Sequence, residues 1–134
     1  MLFTQKSEVD IHEMSPLALA FVGDAVLELL VRARLVGTTR LQPNRLHTVA
    51  THYVSAHAQN LELEIIEPML TDAEAAVLRR GKNASKASVA KHATVQEYRA
   101  STGFECLLGW LYLRGKNDRI EELFNALWEG YKPE

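Results

Sequence analysis

The stretch that most constrains this chain is residues 15–37, Ser-Pro-Leu-Ala-Leu-Ala-Phe-Val-Gly-Asp-Ala-Val-Leu-Glu-Leu-Leu-Val-Arg-Ala-Arg-Leu-Val-Gly. Ser15 can accept from the first free backbone N–H groups of a helix, Pro16 suits its first position, and Gly37 can adopt the left-handed conformation that ends one. Between Leu17 and Leu27 the sole charged side chain is Asp24. A helix so apolar on every side must be buried on more than one face. A carboxylate within it is costly to bury unless a cation or hydrogen-bond donors face it. Asp24, Glu28 and Arg32 are spaced four apart, so they form one polar stripe on this helix.

The remaining periodicity is helical as well. Pro43 predicts the start of a second helix containing Leu46, Val49 and Ala50. A third segment over about 52–67 carries Val54, Ala58, Leu61, Ile65 and Ile66 at helical spacing until Pro68 stops it. Thr71-Asp-Ala-Glu74 is a capping box whose helix runs to about Arg80, with Gly81 as its stop. Residues 81–93, Gly-Lys-Asn-Ala-Ser-Lys-Ala-Ser-Val-Ala-Lys-His-Ala, are small and polar and read as a loop. Thr94-Val-Gln-Glu97 is a second capping box, opening a long helix through Tyr98, Phe104, Leu107, Leu108, Leu111 and Tyr112 that Gly115 closes. Asn117 then caps a last helix with Ile120, Leu123, Phe124, Leu127 and Trp128 on its apolar face. No segment alternates as a strand does. The expected fold is all-α, a helical bundle forming a single domain over residues 1–134, with 1–14 a loosely ordered lead-in.

A formal net charge of −2 argues against a uniformly basic nucleic-acid-binding surface, so any such function must lie in a local patch. One cysteine, Cys106, excludes an internal disulfide and fits a reducing compartment; within an apolar helix it reads as a small core residue. Positions 1–14 lack the basic start and apolar core of a signal peptide, and the apolar run at 17–31 is broken by Asp24 and Glu28. The expectation is a soluble, cytoplasmic protein. His12, His52 and His57 show no metal-ligand spacing, and Trp110 and Trp128 read as packing residues.

Two features carry chemistry. Glu105 is the only charge between Ala100 and Leu113, with Thr102 and Gly109 on its face, so a second lone acid stands in a second apolar helix. Two helices each offering one carboxylate can meet around a hard cation, and Mg²⁺ suits such a site because it takes few carboxylates and keeps several waters. The residues alone leave a second reading open, in which both acids are exposed or pair with Arg32 and Arg99. The other feature is basic: Arg79, Arg80, Lys82, Lys86 and Lys91 place five of the fifteen Lys and Arg residues between 79 and 92, beside His92 and without an acid. Such a cluster reaches a phosphate backbone, and five phosphate contacts would give a salt slope of roughly −4.5. A solvated lysine-rich loop is the alternative. Adjacency of the cluster to the Glu105 helix favours phosphodiester chemistry.

Phe-Val-Gly-Asp-Ala-Val-Leu-Glu-Leu at 21–29 resembles the signature helix of the ribonuclease III family, and Phe-Glu-Cys-Leu-Leu-Gly-Trp-Leu-Tyr-Leu at 104–113 resembles its second acidic motif. The short branch of that family known as Mini-ribonuclease III, a catalytic domain without a double-stranded-RNA-binding domain, is the closer match. Its further marks are Pro43-Asn44 with Leu46-His47, Val54-Ser55-Ala56, Arg-Arg-Gly-Lys-Asn-Ala at 79–84, and Val95-Gln96 followed by Tyr98-Arg99 and Ser101-Thr102. The resemblance covers about residues 15–115.

It implies an endoribonuclease that hydrolyses double-stranded RNA with Mg²⁺, leaving 5′-phosphate and 3′-hydroxyl ends, in the maturation of precursor 23S ribosomal RNA. Asp24 and Glu105 match the family's metal-binding, catalytic acids. With no second RNA-binding domain, the basic cluster of Arg79, Arg80, Lys82, Lys86 and Lys91 must supply much of the grip on RNA. Asn44 and Thr102 are candidates for touching the metal or supporting its ligands; for Asn44, a role as a helix-start residue is the alternative. A homodimer is implied, with Phe21 lodged in the partner subunit; for Phe21, burial in the chain's own core is the alternative. A ribosomal protein bound to the RNA is a further implied partner. The chain departs from classical members in having Leu17, Ala20 and Thr102 where they carry acids. One tightly held ion, with a second arriving on the RNA, is the expectation that follows. A different class of function also fits: an inert helical domain that binds structured RNA, or a dimerisation module unrelated to RNA.

Overall fold

A computed structural model of the chain describes residues 7–85 and 93–133. Six α-helices form it: α1 Pro16–Thr38, α2 Pro43–Val54, α3 Ala56–Ile66, α4 Asp72–Ala84, α5 Val95–Leu113 and α6 Asn117–Gly130. Single 3-10 turns occupy Ile11–Glu13 and Glu67–Met69, and no strand occurs among the described residues.

Local signals set most of the boundaries. Ser15 Oγ accepts from the Ala18 N–H, and Pro16 is the first helical residue. Both capping boxes form: Thr71 with Glu74, and Thr94 with Glu97, each exchange hydrogen bonds in both directions. Gly115, at φ 72°, closes α5; its N–H reaches the Tyr112 carbonyl and the Lys116 N–H reaches that of Leu111.

Four expected boundaries move. Gly37 lies inside α1, which ends one residue later at Thr38 as the Thr38 and Thr39 hydroxyls donate to the carbonyls of Arg34 and Leu35. The break between the second and third helices falls at Ser55 rather than at 52, because Ser55 ends α2 and its hydroxyl accepts from the Ala58 N–H to cap α3. Gly81 does not stop α4, which continues to Ala84. A Cβ at position 81 would stand 2.7 Å from Cys106 Cβ and 2.8 Å from Gly103 Cα, so the glycine serves a close approach of α4 to α5. The expected loop at 81–93 is therefore helical at its start, and its residues 86–92 lie outside the described residues. Finally, Asn117 is the first residue of α6 and makes no side-chain cap; Lys116 takes the flanking position.

α5 is the central element, packed against α1, α3, α4 and α6. Its Phe104, Leu107, Leu108 and Leu111 meet Leu27 and Val31 of α1, Leu63 and Ile66 of α3, and Leu123 and Leu127 of α6 in one core. Each such fully buried side chain contributes about 1.5–3 kcal/mol before chain entropy is counted. Trp128 stacks on Tyr53 with ring centroids 4.5 Å apart, the packing role expected of it. A smaller cluster joins Leu19, Ala20, Val77 and Cys106, and Ile11 and Met14 pack against it, tying the lead-in down at that point. Arg119 on α6 donates to both carboxylate oxygens of Glu74 and to the Met69 carbonyl, joining the start of α4 to α6. No helix among the described residues is long and apolar enough to cross a membrane.

Candidate active site

The site is built where α1 crosses α5 with backbone against backbone. A Cβ at Gly23 would overlap the Glu105 carbonyl oxygen and stand 2.9 Å from the Gly109 nitrogen; a Cβ at Gly109 would overlap the Leu19 carbonyl oxygen. Only glycine at both positions allows this approach. It puts Asp24, the residue after Gly23, beside Glu105. The negative charge of Asp24 acts on the Glu105 carboxyl. Asp24 is exposed and Glu105 half-buried, so the pair opens to solvent on the α1 side.

Burial pushes the Glu105 carboxyl up to about 7. A hydrogen bond from Gln59 opposes that rise, and the negative charges of Asp24 and then Glu28 add to it. Glu28 Oε2 itself accepts from Arg32 Nε at 3.0 Å. Arg99 donates to the Lys82 carbonyl at 3.0 Å and to Asn83 Oδ1 at 3.1 Å. Both arginines that could have neutralised Asp24 and Glu105 are thus engaged elsewhere, which removes the ion-pair reading of these acids. No group of three or more His, Cys, Asp and Glu side chains assembles into a metal site among the described residues. Leu17 is exposed and Ala20 is buried beside Val77 and Cys106, so neither position offers an oxygen.

The other expected site residues are placed as follows. Thr102 is buried, and its hydroxyl donates to the Tyr98 carbonyl and to Ser85 Oγ near the end of α4. Asn44 is exposed in the first turn of α2. Its neighbours Pro43 and His47 line a small cavity with Arg32, Leu35 and Val36; Arg32 stands eight residues beyond Asp24, roughly 12 Å along α1. Arg79 and Arg80 are exposed near the end of α4. Lys82 is half-buried with its ammonium 4.0 Å from Glu67 Oε1, so it is less free than a loop lysine. Lys86 and Lys91 lie outside the described residues. The end of α4 rests on residues 102–106 of α5, the turn that carries Glu105. Phe21 is 84% exposed, which excludes burial in its own core; Leu17, Leu29 and Val36 are exposed with it along α1. Cys106 is buried, its thiol pushed up to about 11 by that burial, and its Sγ donates to the Val77 carbonyl at 3.7 Å, a packing role as expected.

Two polar residues behind the site escaped the sequence reading. Gln59 is 2% exposed and donates through Nε2 to Glu105 Oε2 at 3.0 Å and to the Val54 carbonyl at 2.9 Å. Glu62, one turn on, is fully buried with neither carboxyl oxygen hydrogen-bonded among the described residues, and burial pushes it up to about 9. The available signal was spacing: Gln59 precedes Leu63 and Ile66 at four and seven residues, the period of the apolar face of α3.

Comparison with known proteins gives concordant results. A family profile described as "Ribonuclease III domain" matches residues 17–116. Mini-ribonuclease 3 of Enterococcus faecalis is 45% identical over 118 residues, covering 87% of this chain and 89% of that one. Mini-ribonuclease 3 of Staphylococcus aureus is 41% identical over 116 residues, covering 85% and 87%. Among solved structures, a crystal structure of a Fusobacterium nucleatum protein superposes with a TM-score of 0.81 at 30% identity, covering 90% of this chain and 97% of that one.

Proposed function

The chain belongs to the ribonuclease III family, in its Mini-ribonuclease 3 branch, and from that membership we propose that it is an endoribonuclease that cuts double-stranded RNA with Mg²⁺. The observation that carries this reading is the meeting of Asp24 and Glu105 at the α1–α5 crossing, with no ion pair to either among the described residues.

The donor set fits Mg²⁺. Two carboxylates face each other, one of them pushed toward its neutral form by burial and by its neighbours' charge, and a hard divalent ion removes that conflict. So few protein ligands leave room for water and for phosphate oxygens of a substrate. Held by Asp24 and Glu105, the ion supplies Lewis-acid stabilisation of the charge that builds on the scissile phosphate. Arg79 and Arg80, with Lys82 and the expected contribution of Lys86 and Lys91, grip the phosphate backbone from the adjoining end of α4. A duplex read in this way is recognised through A-form shape and 2′-hydroxyls rather than base identity. The exposed stripe of Leu17, Phe21, Leu29 and Val36 serves a homodimer, whose two-fold axis presents two equivalent sites to the two strands. Precursor 23S ribosomal RNA in the cytoplasm is the substrate of this reading, with a ribosomal protein on that RNA as a further partner.

The test is incubation of the purified chain with a long RNA duplex and Mg²⁺, repeated with EDTA and with Asp24→Asn and Glu105→Gln. Cutting to 5′-phosphate ends only when both acids and the metal are present is the expected result; intact duplex throughout overturns the enzyme. Ala20, buried where classical relatives carry an acid, favours one rival, an inert RNA-binding domain. That rival predicts binding without cleavage in the same assay.

A further inference from the structure

Gln59 is anchored on one side and aimed on the other. Val54 is the last residue of α2, and its carbonyl is one of the terminal acceptors that the helix itself leaves without a partner. The Gln59 amide satisfies it, and the same nitrogen donates its second hydrogen to Glu105 Oε2. The Val54 carbonyl only accepts, and so does the ionised Glu105 that a cation requires, so in that state the amide cannot turn over without setting its oxygen against two other oxygens. Ser55, which ends α2 and caps α3, holds the backbone from which this bond is made. The donor is therefore fixed by main chain, not by a flexible neighbour.

The arrangement also burdens the core. Gln59 Oε1 is buried with no hydrogen-bond partner among the described residues, at a position where the period of α3 calls for an apolar side chain. A leucine or methionine would leave no such atom. What glutamine adds over either is the bond to Glu105 and the satisfied Val54 carbonyl.

We propose that Gln59 is a positioning residue of the active site, whose amide fixes the plane of the Glu105 carboxylate so that it and Asp24 present their oxygens together to Mg²⁺. The inference rests on the reading of Asp24 and Glu105 as the metal pair. Donation to a carboxylate also favours its charged form, the form that binds a cation, and this works against the burial that raises Glu105. Groups that orient metal ligands in this way change metal affinity by about 10–100-fold when removed.

The experiment measures Mg²⁺ binding by calorimetry without RNA, together with kcat and KM for duplex cleavage, in four proteins: unmodified, Gln59→Met, Glu105→Gln, and the double variant. Gln59→Met keeps the side-chain length and removes the donor. Its expected effect is a loss of about tenfold or more in Mg²⁺ affinity and in kcat, with KM for RNA within about twofold. In the Glu105→Gln background the same substitution is expected to change Mg²⁺ affinity by less than about twofold, because its route of action is gone. Equal losses in both backgrounds, or no loss in either, overturn the inference while leaving the metal pair intact. An unmodified protein that binds no Mg²⁺ overturns both. Should Gln59→Met fail to fold, the Gln59 side-chain amide signal of the unmodified protein is followed by NMR through a Mg²⁺ titration: it shifts if Glu105 takes the metal beside it, and an unmoved signal overturns the inference.

Discussion

Gly23 lies so close to the backbone of Glu105 that a methyl group at position 23 would overlap the carbonyl oxygen and stand 2.5 Å from the carbonyl carbon. Asp24 reaches Glu105 because of this contact, and the crossing tolerates nothing larger than hydrogen on either helix, since Gly109 meets the Leu19 carbonyl in the same way. Gly23→Ala and Gly109→Ala are each expected to destabilise the fold by about 3 kcal/mol or more, the upper end for overpacking because rigid backbone must move. Urea denaturation measures it. A loss under about 1 kcal/mol would mean that the helices separate easily.

Glu105 links metal binding to pH. With its carboxyl pushed up to about 7, the free protein holds a proton there below neutrality, and Mg²⁺ must displace it. Apparent Mg²⁺ affinity is expected to fall about tenfold per pH unit below 7 and to level off above it. Calorimetry across pH 5.5–8.5 checks this, and affinity independent of pH would remove Glu105 from the ligand set.

Glu62 gives a stability effect of known sign. Its folded pKa of about 9 lies above the ordinary value of 4.5, so between those limits the folded chain holds a proton that the unfolded chain releases. Stability therefore falls as pH rises through that window, at most about 1.4 kcal/mol per unit, and is unaffected by Glu62 below it. Glu62→Met is expected to raise stability at pH 8 by roughly 2 kcal/mol and to flatten the profile. Denaturation at pH 5 and pH 8 tests it; an unchanged slope would place a partner on Glu62 in solution.

Arg79 and Arg80 are exposed cations with no hydrogen bond or ion pair among the described residues, so replacing them touches RNA more than stability. Arg79→Ala with Arg80→Ala is expected to weaken duplex binding equally for all sequences and to lower the salt slope by about 1.8, with the melting temperature unchanged. Binding titrations at several salt concentrations decide. An unchanged slope would exclude the end of α4 from the RNA contact.

Phe21, 84% exposed, is expected to hold the proposed dimer rather than the subunit. Phe21→Glu should yield a folded monomer by analytical ultracentrifugation. A dimer of unchanged stability would move the interface off the α1 stripe.

How far the sequence was readable depends on distance along the chain. Ser15, the two capping boxes and Gly115 act within a single turn, and each helix end they mark is where it was expected. Gly37 and Gly81 carried the same local signal, yet α1 runs one residue past Gly37, which stands in open space, and Gly81 lies inside α4 because a glycine needed for close approach reads like one needed for a turn. Which partners Arg32 and Arg99 choose was equally hidden, since several acids and carbonyls lie within reach of a long side chain until packing selects one.

By itself, the sequence determined that the fold is helical, that two apolar helices each carry a lone acid, and that cations gather before the second of them; these follow from period, caps and composition, which are properties of neighbouring residues. Only the tertiary structure decided that the two acids meet, that Gln59 stands behind one of them, and that Phe21 faces outward. Those depend on the angle and depth at which α1 crosses α5, set by two glycines 86 positions apart whose joint role is visible in neither alone.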